Sequence, residues 1–308
     1  SMDFDVLIVG GGPAGLQAAL ILGRCRRKVV LYNSGEPRNA VAEKLSGFLS
    51  RDGIAPRKFL ELGRVDVEAY SSVVLLEGRV DKAERLDDGF EVTLSDGTPS
   101  RCRKLLVTTG LSDDLPLVIG LPELMGRGVY TCPYCDGWEC CDAAIAVYSG
   151  KENGPGFALE MTCWSQNVAL VTDGTVLMPP DREKLERHNV LIRSERIESL
   201  ETTDGKLSRI HFCEGEPLDC IALFLATHQN RKSQPLLDQL QARIGEDLEA
   251  ENVPGLFVAG DAHARGVQMV AAAVGEGAQV AIRINEQLLD EDLQRSLSRV
   301  PEREPTLS

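Results

Sequence analysis

The stretch "DVLIVGGGPAG", residues 5–15, decides the fold. Its first half is a continuous apolar run, as in a strand buried on both faces of a sheet. Its second half sets Gly10, Gly12 and Gly15 in a G-x-G-x-x-G turn, with Pro13 and Ala14 between the last two glycines. "LQAALILGRC" follows with helical apolar spacing, and "KVVLY" reads as a second strand. The whole is a βαβ unit. Glycine permits the tight turn and lets the backbone approach a pyrophosphate at the helix N-terminus. The alternative is a tight turn that binds nothing, but the placement between a strand and a helix favours a dinucleotide.

The second strand runs into "LYNSGEPRN", residues 31–39. A ribose-binding acid is expected about 20 residues beyond the glycine turn. Asn33 stands there instead and can still bond hydroxyls. Glu36 is a nearby alternative acid. Arg38 and Asn39 either line the cofactor or are solvated loop residues.

Farther on, residues 72–107 read as β-hairpins, with "DDG" and "SDG" turns. "KLLVTTG", residues 104–110, is a strand entering a turn. A second βαβ-like pattern runs from "AAIAVYSG" at 143 through "GFALEMTCWSQ" to "VALVTDG", ending at 174. From 253 onward come a strand, a Gly-Asp turn and a long helical stretch. The last fifteen residues, from 294, are polar and expected to form a mobile tail.

The chain has 308 residues, enough for about two domains, and is 43% hydrophobic and 26% charged. Its net charge of −14 disfavours nucleic acid and anionic membrane surfaces as partners. No apolar run reaches the ~18 residues of a membrane helix. No signal peptide is visible, and Ser1 before Met2 reads as a tag scar. A reducing, cytoplasmic compartment is expected, where a close cysteine pair is metal-binding or redox-active rather than structural.

Four of the nine cysteines, Cys132, Cys135, Cys140 and Cys141, fall in "CPYCDGWECC". Zinc is one reading, but adjacent cysteines point apart and zinc favours two separated C-x-x-C pairs. No metal is expected. Redox chemistry is the other reading: one thiolate attacks, a second resolves, and a helix start lowers one pKa. Cys140 and Cys141 are expected as small buried residues entering the next strand. Cys25, Cys102, Cys163, Cys213 and Cys220 are expected in the core.

Together "VLIVGGGPAG", "VTTG" at 107–110, "CPYCDG" at 132–137 and "LFVAGDA" at 256–262 resemble, in this order, the low-molecular-weight thioredoxin reductase family of flavoproteins, class II of the pyridine nucleotide-disulfide oxidoreductases. The likeness covers nearly the whole chain. It implies an α/β fold of two Rossmann-like three-layer nucleotide-binding domains, the second inserted in the first. FAD-binding segments would span 1–112 and 248–308, with the cysteine-bearing insert at 113–247. It implies FAD contacts from the glycine turn, Thr109, Gly110, Gly260 and Asp261. Gln268, Met269 and Val270 would open a helix facing the pyrimidine end of the flavin, where the helix dipole stabilises negative charge. Cys135 would face the flavin, Cys132 would meet the external substrate, and Asp136 would shuttle protons. The plainer reading of Asp136 is a helix-cap carboxylate. Family members are homodimers.

The insert departs from the family pattern. Gly150, Gly154 and Gly156 do not lay down a clean G-x-G-x-x-G. NADPH-using members carry H-R-R-x-x-x-R after the second strand, whereas this chain has "VTDGTVLMPP". Asp173 there would repel a 2′-phosphate and suit a ribose diol. NADPH is therefore disfavoured; NADH, a second flavin or other adenosine cofactor, or an empty site remain open. Tyr148 and Trp164 either stack on a planar ring or are core. Pro133 and Tyr134 between the cysteines resemble the branch containing the gliotoxin and holomycin dithiol oxidases, which need no nicotinamide; glutaredoxins share C-P-Y-C. His263 lies either near the flavin or on the surface. His188, His211 and His228 have no motif context.

Three functions follow. The first is an FAD-dependent dithiol/disulfide oxidoreductase working without NADPH on a small dithiol or a thioredoxin-like protein. The second is an NAD(P)H-dependent thioredoxin reductase. The third is a non-catalytic FAD-binding redox sensor.

Overall fold

The computed structural model describes residues 2–35, 37–150, 153–263 and 267–297. Glu36 and residues 298–308 of the expected tail lie outside them.

Along the chain come β1 (Phe4–Val9), α1 (Pro13–Arg24), β2 (Val29–Asn33), α2 (Pro56–Glu68), β3 (Val73–Glu77), β4 (Val80–Leu86), β5 (Gly89–Leu94), β6 (Pro99–Val107) and β7 (Leu111–Asp113). Then follow β8 (Val129–Tyr130), α3 (Pro133–Asp136), β9 (Ile145–Tyr148), α4 (Gly154–Met161), β10 (Val168–Val171), α5 (Pro179–Arg187) and β11 (Leu191–Arg193). After these come β12 (Ile197–Thr203), β13 (Lys206–Phe212), β14 (Leu218–Asp219), β15 (Ala222–Leu225), β16 (Gln229–Arg231), α6 (Gln234–Gln239), β17 (Leu256–Val258) and α7 (Val270–Leu297).

The chain divides into two compact units. The first comprises 1–37, 60–111 and 231–308; the second comprises 38–59 and 112–230. These limits differ from the expected 1–112, 113–247 and 248–308. The segment after β16 joins the first unit because Leu236 and Leu237 of α6 are buried in the same core as Leu7, Phe90 and Leu105. Residues 38–59 join the second unit, where the Arg38 guanidinium forms two 2.6 Å bonds to the carboxylate of Asp113.

In the first unit β6 is the hub. Its early residues pair antiparallel with β5, as Thr93 with Pro99, and β5 pairs antiparallel with β4. Its later residues run parallel to β1 and β17, as Val9 with Val107 and Phe257 with Leu106. β3 is not part of a hairpin: it runs parallel to β2, with Leu31 opposite Leu75. Alternate residues feed two cores, as strand geometry requires. Leu7, Val9, Leu105 and Val107 face one; Val6, Ile8 and Leu106 face the other, with Leu16 and Leu22 of α1. Each fully buried Leu of this kind contributes on the order of 1.5–3 kcal/mol.

The second unit has a parallel sheet in the order β11-β10-β9-β15-β8 and an antiparallel sheet β12-β13-β14. The expected α/β class is present: the first unit's sheet is parallel across β3-β2-β1-β6 and β17 and antiparallel at β5 and β4, and the second unit's larger sheet is parallel. Among the described residues no helix is long and apolar enough to cross a membrane. The helix α7 extends through Leu297, so residues 294–297 continue it rather than begin a tail.

Candidate active site

In the first unit three motifs converge on the start of α1. Gly10 has φ +115, a conformation that L side chains rarely adopt. The Thr108 hydroxyl donates to the carbonyl oxygens of Val9 at 3.2 Å and Gly10 at 2.9 Å, which ties the 107–110 motif to the glycine turn. A Cβ at Gly15 would stand 2.0 Å from the Gly10 oxygen. The Gly-Asp turn joins them: a Cβ at Gly260 would meet Ala14 Cβ at 2.8 Å, and one at Gly277 of α7 would meet the Ala14 oxygen at 2.4 Å.

This cradle fits the pyrophosphate of FAD. The N-cap of α1 is Gly12, no side chain caps the helix, Pro13 occupies the first turn, and that turn carries no acid. Its free N–H groups and dipole favour an anion. A Cβ at Gly12 would have nothing within 4 Å, so the space over the turn is open. The Thr109 hydroxyl is buried with no hydrogen-bond partner among the described residues, which fits a polar cofactor group. Gly110 has φ +71.

Asn33, at the end of β2, accepts from Gly11 N–H at 3.3 Å and donates to Glu77 at 3.3 Å. Glu77 ends β3 and was not legible as a site residue, because only parallel β2–β3 pairing brings it beside Asn33. Arg38 and Asn39 begin a short 3-10 turn in the second unit. Arg38 holds Asp113 there, a clasp that sequence reading did not foresee.

Asp261 sits in the 3-10 turn Gly260–His263. Glu276 of α7 fixes that turn by accepting from Gly260 N–H at 2.8 Å. Arg231 donates to the carbonyl oxygens of Ala262 at 2.8 Å and His263 at 3.1 Å. His263 is buried, not a surface residue, and its Nδ1 lies 3.7 Å from Glu276. α7 begins at Val270, and Met269 precedes it as cap, its carbonyl accepting from Ala273 N–H at 2.9 Å. Gln268 and Met269 are half-buried.

In the second unit Cys132 and Cys135 form a disulfide. Cys132 is the N-cap of α3, with Pro133 in the first turn pre-setting the helix, and its sulfur accepts from Cys135 N–H at 3.2 Å. Asp136 N–H donates to the Cys132 oxygen at 3.3 Å and Gly137 N–H to the Pro133 oxygen at 2.8 Å, so the turn is helical past both sulfurs. Burial pushes the Asp136 carboxyl up to about 6; the Glu139 charge adds to the rise and Lys44 opposes it. A carboxyl in that range exchanges protons near neutrality.

Tyr134 is exposed, yet anchored at both ends. Its hydroxyl donates to Glu160 at 2.7 Å, and its ring meets Trp164 edge-on at 5.5 Å. A Cβ at Gly137 would stand 2.8 Å from the Trp164 ring. Trp164 thus supports the redox turn from below.

The four-sulfur metal set is not assembled: Cys132 and Cys135 are bonded to each other, Cys140 is buried and Cys141 is exposed. Burial raises the Cys140 thiol to about 11. Cys102 and Cys220 are buried as expected, whereas Cys25 after α1, Cys163 after α4 and Cys213 after β13 are exposed.

The second βαβ, β9-α4-β10, starts differently from the first. The N-cap of α4 is Asn153, whose side chain accepts from Gly156 N–H at 3.2 Å. A Cβ at Gly154 would stand 2.2 Å from the Ser149 hydroxyl. Asp173 accepts from Ile197 N–H at 2.8 Å and from the Tyr148 hydroxyl at 3.4 Å.

The chain matches the family model described as pyridine nucleotide-disulphide oxidoreductase over residues 4–277. A "Probable thioredoxin reductase" of Arthroderma benhamiae is 26% identical, covering 96% of this chain and 83% of its own. "Thioredoxin reductase tcpT" of Claviceps purpurea is 28% identical over 83% of this chain and 86% of its own. Among solved structures, HlmI is 33% identical with a TM-score of 0.89, over 96% of this chain and 95% of HlmI. The chain belongs to the pyridine nucleotide-disulphide oxidoreductase family and is a thioredoxin reductase-like, flavin-dependent disulfide oxidoreductase.

Proposed function

We propose that the protein oxidises an external dithiol through Cys132–Cys135 and FAD, with no nicotinamide donor. The observation that carries this reading is the contrast between the two βαβ starts. In the first, Gly12 leaves the helix start uncapped and the space above it open. In the second, Asn153 caps the helix and Asp173 is engaged by Ile197 and Tyr148. A nucleotide there would compete with the protein's own hydrogen bonds.

The residues that would hold FAD are Gly10, Gly12, Pro13, Ala14 and Gly15 at the pyrophosphate, and Asn33 with Glu77 at the ribose. Thr109, Gly110, Gly260, Asp261 and the start of α7 complete the set. Bound FAD would supply a two-electron acceptor for the Cys132/Cys135 dithiol, with molecular oxygen as the terminal oxidant. The chain's residues handle the sulfurs. A substrate thiolate attacks Cys132, breaking the Cys132–Cys135 bond and forming a mixed disulfide; the second substrate thiol then displaces Cys132. The substrate leaves as a disulfide, and Cys132 and Cys135 are left as a dithiol. Asp136 takes and returns the thiol protons. A homodimer in a reducing, cytoplasmic compartment, and a small dithiol or a thioredoxin-like protein as partner, belong to the same reading. The relatives' names favour a second one, reduction of thioredoxin.

Anaerobic mixing separates them. Oxidised protein is mixed with NADPH, NADH or a simple dithiol while the flavin's visible absorbance is followed. Bleaching by the dithiol alone is expected. Rapid bleaching by either nicotinamide would make the protein a reductase and overturn the proposal. Unchanged absorbance in all three would point to the sensor.

A further inference from the structure

Resting on that reading of Asp136, we infer that Lys44 and Glu139 act as positioning residues that set the proton affinity of Asp136. Neither belongs to the cysteine motif. Glu139 follows Asp136 by three places in a backbone that stays helical through Gly137, whose φ is −65 and ψ −35, into the 3-10 turn Trp138–Cys140. Residues three apart in such a turn share a face. Lys44 comes from 95 residues before Glu139, in the segment 38–59 that folds with the second unit. Its Nζ sits 2.5 Å from a Glu139 carboxylate oxygen.

The pair is half-exposed, with Lys44 at 46% and Glu139 at 37% of side-chain exposure, so it adds little to stability. Its position explains it better. Asp136 is the more buried member of the three, and both neighbours act on its charge in opposite senses. The ammonium favours the carboxylate; the Glu139 charge and burial favour the acid. The other titratable groups facing Asp136 are Tyr130 at the end of β8 and the buried Cys140, both raised in pKa and so neutral at pH 7. Asp52 acts on Lys44 from the same segment. The net field on Asp136 is thus a balance between one cation and one anion that hold each other. Removing either tips it in a known direction.

The test follows the pH dependence of dithiol oxidation in the FAD-loaded protein. The parent profile rises with pH through a limb near 6, as the Asp136 carboxylate becomes available. Lys44→Met moves this limb up and Glu139→Gln moves it down, each by about half a unit. Lys44→Arg keeps it in place, and Lys44→Met combined with Glu139→Gln brings it back towards the parent. A second readout needs no turnover: the pH at which the stability gain of Asp136→Asn over its parent levels off moves the same way when Lys44 is Met. Opposite shifts establish the inference. A limb that Asp136→Asn removes, but that neither Lys44→Met nor Glu139→Gln moves, overturns it. A limb that survives Asp136→Asn instead sinks the acid/base role of Asp136, and the inference with it.

Discussion

Gly15 packs so tightly on Gly10 that a Cβ at Gly15 would stand 2.0 Å from the Gly10 carbonyl oxygen. Gly12, between them, faces open space. One turn therefore contains a glycine that the fold needs and a glycine that packs against nothing in the protein.

Gly15→Ala should cost the fold about 3 kcal/mol, since the methyl also meets the Thr108 hydroxyl at 2.7 Å and both neighbours are held by hydrogen bonds. Gly12→Ala should fold with the parent's thermal midpoint in the absence of flavin. It should bind FAD about tenfold or more weakly. Thermal melts with and without added FAD distinguish the two. Equal flavin affinity in Gly12→Ala would remove this turn from the binding site.

Cys135→Ser should still bind flavin, because the cysteines play no part in the cradle of the first unit. Its dithiol turnover should fall by about a thousandfold, roughly 4 kcal/mol of barrier. Stopped-flow bleaching by a dithiol is the measurement. Turnover at the parent rate would remove the disulfide from catalysis.

Asp136→Asn should change stability in a pH-dependent way. The folded carboxyl is raised to about 6 from an ordinary value of 3.8, chiefly by burial. Between those values the folded state holds more protons than the unfolded one, so the parent loses stability as pH rises. The asparagine variant does not. Its thermal midpoint should match the parent near pH 3.5, rise above it between pH 4 and 6, and keep the full gain at pH 8. A gain that is largest at low pH would reverse the sign and contradict a raised carboxyl.

Asp173→Ala should destabilise the second unit by about 1–2 kcal/mol, because the Ile197 N–H loses its acceptor. Dithiol turnover per folded molecule should not change. A fall in turnover, or a gain of NADPH response in Asp173→Lys, would restore the nucleotide role that its hydrogen bonds now argue against.

The sequence made the strands and glycine turns of both βαβ units legible, because apolar runs and turn glycines are local signals. The Cys132–Cys135 pair was legible from its C-x-x-C spacing, whereas the proton-shuttling role of Asp136 came only from the family resemblance. What the sequence concealed is set by pairing at a distance. Residues 73–77 stand beside the DDG and SDG turns and read as part of a hairpin, yet β3 runs parallel to β2, and this brings Glu77 to Asn33. Arg38 read either as a cofactor residue or as a solvated loop residue by its place after β2; no local signal showed that its guanidinium also bonds to Asp113, 75 residues on. Lys44 carried no signal at all: its partner Glu139 lies 95 residues away. Nor could spacing distinguish the buried Cys102 and Cys220 from the exposed Cys25, Cys163 and Cys213.

The two-piece make-up of the second unit governs how the molecule could be recombined with its relatives. Its residues enter and leave at four junctions, 37/38, 59/60, 111/112 and 230/231. A chimaera that exchanged only the long piece would graft a foreign redox turn onto a resident Lys44, and a foreign Asp113 onto a resident Arg38. Transplanting both pieces together carries each clasp with its own mate, so the unit of modular exchange is defined by ion pairs rather than by contiguity along the chain.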